Sequence, residues 1–346
     1  MPQKRETHVT LQQVARHAGV SRATASLAVR GSQSITEATR KKVLDAMQEL
    51  GYVYDRVAAN LRSKTSSTVG LIIMELANPF YSELLVGIHQ EFHRFGQTVI
   101  LGTTFDSTET QDRLLASMLE HRVGGIILSA VSGSQKSAIE KLQYWNIPVV
   151  LVGRKVPDAE CDYVGIDNVR GAKMAVDYLI GKGHCRIGFL GGVSRLTSWQ
   201  ERKSGYDMAL REAGIPADPA LIAEGPAVMQ SGVNSIEKLL GLPHPPTAIF
   251  CYNDIIAIGA MMKLKELNFI PGQDIDVVGF DDIPEAAIFS PKLTTVSSSI
   301  RRMGIHAANL LHERMEGLAS KPQSIILSPE LIIRESSSRQ LQINRS

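Results

Sequence analysis

The 346-residue sequence holds only three cysteines, Cys161, Cys185 and Cys251, spaced too far apart for a disulfide framework or a metal clasp. Each sits inside an apolar run, so buried, reduced thiols are expected. No apolar stretch approaches the roughly 18–20 residues that span a bilayer. The opening residues MPQKRETHVTLQQVARHAGV lack the apolar segment of a secretion signal, and a cytoplasmic location is expected. The nine histidines follow no metal spacing; His89 and His93 stand four apart without a glutamate in the metalloprotease position. GFLGG at 188–192 lacks the GxGxxG spacing of a dinucleotide loop, and no Walker lysine follows it. There is no G-x-S-x-G elbow and no Ser/His/Asp trio that can be placed in one site. Metal, nucleotide and nucleophile chemistry all lack a motif, so neither an enzyme nor a cofactor is expected.

What is present is ordinary in bulk and uneven in distribution. Hydrophobic residues make up 44% and charged residues 21%, as in soluble globular proteins. The length calls for two or more folded units. Residues 1–64 carry eleven Lys or Arg against five acids, a net of +6. Since the whole chain is +2, the remainder is −4. A basic head on a mildly acidic body points to a polyanionic partner for the head.

The head reads as three short helices over residues 8–54. Leu11, Val14, Ala15 and Ala18 form an amphipathic stripe, with a Thr10–Gln13 capping box before it and Gly19 to stop it. Ser21 then caps a second helix through Arg22–Val29. Two helices joined by a tight glycine turn make a helix-turn-helix. A third helix starts at Thr36 and Glu37, buries Val43, Ala46, Met47 and Leu50, and ends at Gly51. The second helix would offer Arg22, Ala23, Thr24 and Leu27 to base edges from its N-terminal end. Arg suits guanine, whereas Ala and Leu touch only thymine methyls or exclude wrong bases. Thr10, Ser21 and Thr24 suit phosphates, and Arg30 completes the candidate DNA-binding set. A protein-binding three-helix unit is the competing reading.

From Val69 onward, short Val/Ile-rich runs such as VGLIIM, GGIILS, PVVLVG, AIFCYND and DVVGFDD alternate with helical segments. Parallel strands covered on both faces need such runs, and their number fits two doubly wound lobes. Polar residues collect at the strand ends, where open α/β sheets bind ligands. They include Asn78, Phe80 and Tyr81 of NPFY, Arg154, Asp167, Asn253 and Asp281. Asn168 and Asp254 could equally be plain helix caps. Arg154, Arg202 and Asp281 are harder to explain in that way.

VTLQQVARHAGVSRATASLAVRG and ITEATRKKVLDAMQELGYVYDRVAANLR, then VGIDN, ERKSGYDMAL, PTAIFCYND and VVGFDDIPEAAIFSPKLTTV, resemble the lactose/galactose repressor (LacI/GalR) family over nearly the whole chain. The sequence departs from many relatives at Ala23 and Leu27. The resemblance implies a helix-turn-helix head and, over 55–66, a hinge helix and linker. Asp55–Arg62 would order when two copies pair in the DNA minor groove. Ala58, Leu61 and Arg62 would make contacts there, with Leu61 as a wedge. The core, 67–340, would resemble the periplasmic sugar-binding proteins. One lobe would span about 67–166 and 297–326, the other about 167–296 and 327–340. Arg202, Asn253 and Asp281 would bind an effector, with Asn78, Phe80, Tyr81, Arg154 and Asp167 around them. Arg154 and Asp167 could instead pair across the cleft.

This Arg, Asn and Asp set with few aromatics suits a saccharide better than a purine, which is the alternative effector. The polar tail after Arg334 is too short for a tetramerising coiled coil, which favours a homodimer on a pseudo-palindromic duplex. The expected function is therefore an effector-controlled transcriptional repressor. A transport-type sugar-binding protein and an α/β enzyme are the alternatives.

Overall fold

The computed structural model of the chain describes residues 9–29, 31–32, 34–53, 66–318 and 321–338. Arg30, Ala58, Leu61 and Arg62, and with them the expected hinge helix, lie outside the described residues. The chain divides into two compact units, residues 1–65 and 66–346.

The first unit is helical, with α1 (Leu11–His17), α2 (Arg22–Val29) and α3 (Glu37–Glu49). The Thr10–Gln13 capping box forms in both directions. Gly19, at φ +66°, ends α1 in the left-handed region, where only glycine is unstrained. The Ser21 hydroxyl accepts from the Thr24 amide at 3.0 Å and starts α2. Val14, Ala15, Ala25, Ala28, Val43 and Ala46 are buried together, so small side chains let three short helices close on one nucleus.

The second unit contains two six-stranded sheets, each with helices about it. The first sheet takes β1 (Thr68–Ile73), β2 (Thr98–Thr103), β3 (Ile126–Leu128), β4 (Val149–Val152) and β5 (Asp162–Ile166). Its helices are α4 (Pro79–Arg94), α5 (Thr108–Glu120) and α6 (Lys136–Tyr144). The second sheet takes β6 (Ile187–Leu190), β7 (Ile222–Ala223), β8 (Ala248–Cys251), β9 (Asp276–Asp281) and β10 (Thr294–Ser297). With it go α7 (Asn168–Gly181), α8 (Thr197–Glu212), α9 (Met229–Leu240), α10 (Asp254–Glu266) and α11 (Pro284–Ile288). The chain then returns as α12 (Ile300–Met315) against α4, adds β11 (Ser324–Leu327) to the first sheet, and ends with β12 (Glu330–Ile332) in the second.

The strand orders are β11-β5-β4-β3-β1-β2 and β12-β10-β9-β8-β6-β7. Among the described residues, all neighbouring strands pair in parallel except β10 with β12. Strands β3, β4, β6 and β8 are buried along their whole length, which is why their sequences are unbroken apolar runs. Each sheet with its helices is one lobe, and the chain passes between lobes at Asp167, at Ser298–Ser299 and at Ser328–Pro329. Among the described residues no helix is long and apolar enough to cross a membrane. Of the three cysteines expected to be buried, Cys251 is buried and Cys161 half-buried. Cys185 is exposed, because it falls in the turn before β6 rather than in the strand.

Glycines set the distance between paired helices. A methyl group added at Gly87 of α4 would lie 2.2 Å from the Arg301 carbonyl oxygen of α12, and one at Gly304 of α12 would lie 2.5 Å from Leu84 O. The α9–α10 pair is seated the same way, with Gly232 2.0 Å from Ile256 O and Gly259 2.1 Å from Met229 O. Gly259→Ala should therefore lower the stability of this unit by about 1–3 kcal/mol, read as a fall in Tm. Gly181→Ala, whose added methyl meets nothing within 4 Å, should leave Tm unchanged or raise it.

Candidate functional site

In the first unit, the start of α2 is open to solvent. Ser21, Arg22 and Ala23 are exposed, Thr24 and Leu27 are half-buried, and Thr10 is exposed at the start of α1. Ala25 and Ala28 point the other way, into the nucleus. The face is thus a byproduct of helical periodicity: what α2 does not bury, it presents. The Ser21 and Thr24 hydroxyls lie 2.9 Å apart, side by side on this surface.

In the second unit, a cavity opens where the carboxyl ends of strands from both sheets face each other, the place where open α/β sheets bind ligands. The first lobe contributes Asn78, Phe80, Tyr81, Ser129 and Arg154, and the second contributes Ser198, Arg202, Tyr252, Asn253 and Asp281. Seven of the eight expected effector residues therefore line one cavity, drawn together from positions 78 to 281.

Arg202 is buried beneath the second-lobe wall. Its Nε donates to Asn168 Oδ1 at 2.9 Å, Nη1 donates to the Tyr252 carbonyl oxygen, and Nη2 meets Asp281 Oδ1 at 3.4 Å. The guanidinium plane lies 3.6 Å from the Phe280 ring centroid and 4.7 Å from that of Tyr252. Arginine fits here because a planar fork with several donors can satisfy three acceptors while stacking on a ring. Burial pushes the Asp281 carboxyl up to about 6, against the opposing pull of Arg202 and the Ser298 hydroxyl. Behind it, Asp254 is wholly buried, accepting from Thr295 Oγ1 and from the Ile283 amide at 2.9 Å. Burial, reinforced by Asp281, holds the Asp254 carboxyl well above the usual carboxylate range.

Asn253 caps α10, its Oδ1 accepting from the Ile256 amide at 3.1 Å. On the first-lobe wall, Asn78 Oδ1 accepts from the Phe80 amide at 3.0 Å and caps α4, which fixes the aromatic pair behind it. Phe80 and Tyr81 meet edge to face at 5.1 Å. Burial raises the Tyr81 hydroxyl's titration, while Arg154 and Ser129 counter it. Arg154 Nη1 pairs with Asp106 Oδ1 at 3.2 Å.

Asp167 departs from expectation. It does not line the cavity and does not pair with Arg154. Its carboxylate accepts from the Arg170 amide at 3.0 Å and caps α7, while its own amide donates to the Leu327 carbonyl at 3.1 Å. The capping sites thus fall one residue earlier than Asn168 and Asp254, and those two are free to make buried side-chain bonds. Ser198 and Tyr252, joined at 2.7 Å, were not among the expected residues. Ser198 sits four positions before Arg202 on the same helical face, a spacing that could have pointed to it. Asp106 carries no such signal, since it meets Arg154 only through the fold.

Arg202→Ala would strand the Asp281 carboxyl in a buried site and should destabilise the unit by about 3–5 kcal/mol in urea unfolding. Asp281 binds its proton more tightly folded than unfolded. Its contribution to stability is therefore fully present below about pH 3.9 and is lost as pH rises through about 6. Asp281→Asn should remove this slope, losing about 3 kcal/mol less than wild type between about pH 4 and about pH 7.

Residues 10–55 match the bacterial regulatory proteins of the lacI family, and residues 176–337 match the periplasmic binding protein-like domain. Over 334 residues the chain is 33% identical to the HTH-type transcriptional repressor CytR of Escherichia coli (strain K12), covering 96% of this chain and 97% of CytR. A solved complex of the transcriptional regulator CelR with cellobiose aligns at 32% identity and a TM-score of 0.73, over 95% of this chain and 100% of CelR. The lac repressor dimer bound to operator and the anti-inducer ONPF aligns at 27% identity and a TM-score of 0.83, over 96% and 99% of the two chains. A helix-turn-helix head and a two-lobed core with a polar cleft, matched along almost their full length to such repressors, mean that this protein belongs to the lacI family of bacterial regulatory proteins.

Proposed function

We propose that this protein is a sequence-specific transcriptional repressor whose affinity for operator DNA is set by a saccharide bound between the two lobes of its core. The observation that carries this reading is the cleft itself. A buried Arg202–Asp281 pair faces Arg154 across one cavity, in a chain whose first unit exposes Ser21, Arg22 and Ala23 at a helix start. Vicinal hydroxyls suit this set: the Asp281 carboxylate accepts, Asn253 and the arginines donate, and Phe80 covers an apolar sugar face. The cellobiose held by CelR is a ligand of that chemistry.

By likeness to the lac repressor dimer bound to operator, the working form is a cytoplasmic homodimer, and its two α2 helices enter consecutive major grooves of a pseudo-palindromic operator. Arg22 reads a base edge, and Thr10, Ser21 and Thr24 hold phosphates. The effector shifts DNA affinity by as much as its own affinity differs between the two lobe arrangements, whichever arrangement it prefers.

In thermal-shift screening against a panel of neutral mono- and disaccharides that includes cellobiose, at least one sugar should raise Tm. Its affinity should increase as pH climbs through about 6, because ionised Asp281 is the acceptor. A panel in which no sugar raises Tm, while operator binding persists, would reject the saccharide. In gel-shift titrations, operator affinity should fall steeply with salt, and Arg22→Ala should weaken specific binding by roughly tenfold.

A further inference from the structure

One carboxylate at the mouth of the cleft serves both lobes. Asp106 follows β2, in the first lobe. Its Oδ1 meets Arg154 Nη1 at 3.2 Å and accepts from the Ser132 amide at 2.9 Å. Its Oδ2 lies 3.6 Å from Arg195 Nη2, on the loop between β6 and α8 of the opposite lobe. Arg195 Nε also donates to Ser132 Oγ at 2.6 Å, a second bond across the same gap.

The two loops that meet here are built to meet. Phe105 and Asp106 both adopt the left-handed region, at φ 50° and 57°. Neither is glycine, and such strain persists where surrounding bonds over-determine it, commonly at functional positions. On the other side, the Ser194 amide donates to Glu224 Oε2 at 2.8 Å, and Gln200 Nε2 donates to the Ser194 carbonyl at 3.0 Å. Leu196, the next residue but one, is buried. Arg195 therefore projects from a loop anchored on both sides of it, with 67% of its own side chain in solvent. This long, exposed arginine spans to Ser132 and to a carboxylate that is only 22% exposed, both on the other lobe.

We propose that Asp106, Arg154 and Arg195 form a clasp across the cleft mouth, in which Asp106 positions the cleft arginine and holds the opposite lobe closed over the bound ligand. Asp106 is a positioning residue: it neutralises Arg154 and aims its guanidinium along the cavity wall. Arg195 closes the clasp only when the lobes approach, so the clasp reports closure and favours it. The inference rests on the effector-cleft reading for its purpose, but its geometry can be tested with no ligand present.

The test is hydrogen–deuterium exchange by mass spectrometry on the full-length, ligand-free protein. Arg195→Ala, at an exposed position, should leave Tm nearly unchanged. It should speed exchange about threefold in segments 74–81 and 250–254, which lie on the two cleft walls away from the substitution. Asp106→Asn keeps an acceptor for the Ser132 amide but loses the charge, and should give the same increase; Asp106→Glu should restore part of the protection. Raising NaCl from about 0.1 M to about 1 M, which cuts the screening length from about 10 Å to about 3 Å, should open the wild type and add little to Arg195→Ala. Faster exchange confined to residues 193–196, no increase at all, or equal salt sensitivity in wild type and variant would overturn the clasp. A sugar panel that raises no Tm would reject the saccharide reading and leave this exchange pattern standing.

Discussion

The second unit is organised around one buried cation. Arg202 bonds to the side chain at the start of α7, to the main chain at the end of β8 and to the carboxyl at the end of β9, and it stacks on the ring next to that carboxyl. Burying a guanidinium is costly unless every donor finds an acceptor. The acceptors come from segments more than 30 residues away in either direction, so the strand ends must be in register before Arg202 is satisfied. The same demand makes the cleft polar: of the residues that compensate Arg202, Tyr252 and Asp281 line the cavity.

From that centre the constraint passes to the chain crossings. Asp281, the last residue of β9, and Asp282 after it have positive φ, 117° and 60°, which non-glycine residues adopt only under restraint. The restraints are visible. The Asp281 carbonyl accepts from the Ser298 amide at 3.2 Å, and Asp282 Oδ1 accepts from Arg334 Nη2 at 2.8 Å. Asp254 accepts from the Ile283 amide beyond them. Ser298 belongs to the second crossing between lobes, where Ser299 is itself left-handed at φ 47°. The Asp281 carboxyl thus accepts directly from a segment that crosses between the lobes, from Ser298 Oγ at 3.3 Å. On each side, the helix layers are seated backbone to backbone on glycines, which leaves little room for helices within a lobe to shift against one another.

Much of this was readable beforehand, and the reason lies in range. Helix caps at Thr10, Ser21 and Thr36 depend on neighbours three residues away, and strand burial on both faces depends on unbroken apolar runs; both are local rules. The cavity residues 78, 80, 81, 154, 202, 253 and 281 were anticipated because strand ends of open α/β sheets face a common crevice and a family resemblance singled out a few of them. Asp167 misled because an acid at a strand end can equally be a cap, and the choice turns on which way a helix start faces. Cys185 misled because an apolar run extends a residue or two past the strand it predicts.

The sequence by itself determined the division into a basic helical head and a two-lobed core, the edges of the helices, and the residue types that gather at strand ends. All of these rest on periodicity and on contacts within a few residues. Only the tertiary structure decided that Arg154 pairs with Asp106 rather than Asp167, that Ser198 and Tyr252 join the cavity, and that Arg195 reaches across to the other lobe. Those partners are 48, 54 and 89 positions apart in the chain, and an ion pair's energy depends on distance and burial in space, neither of which spacing along a sequence contains.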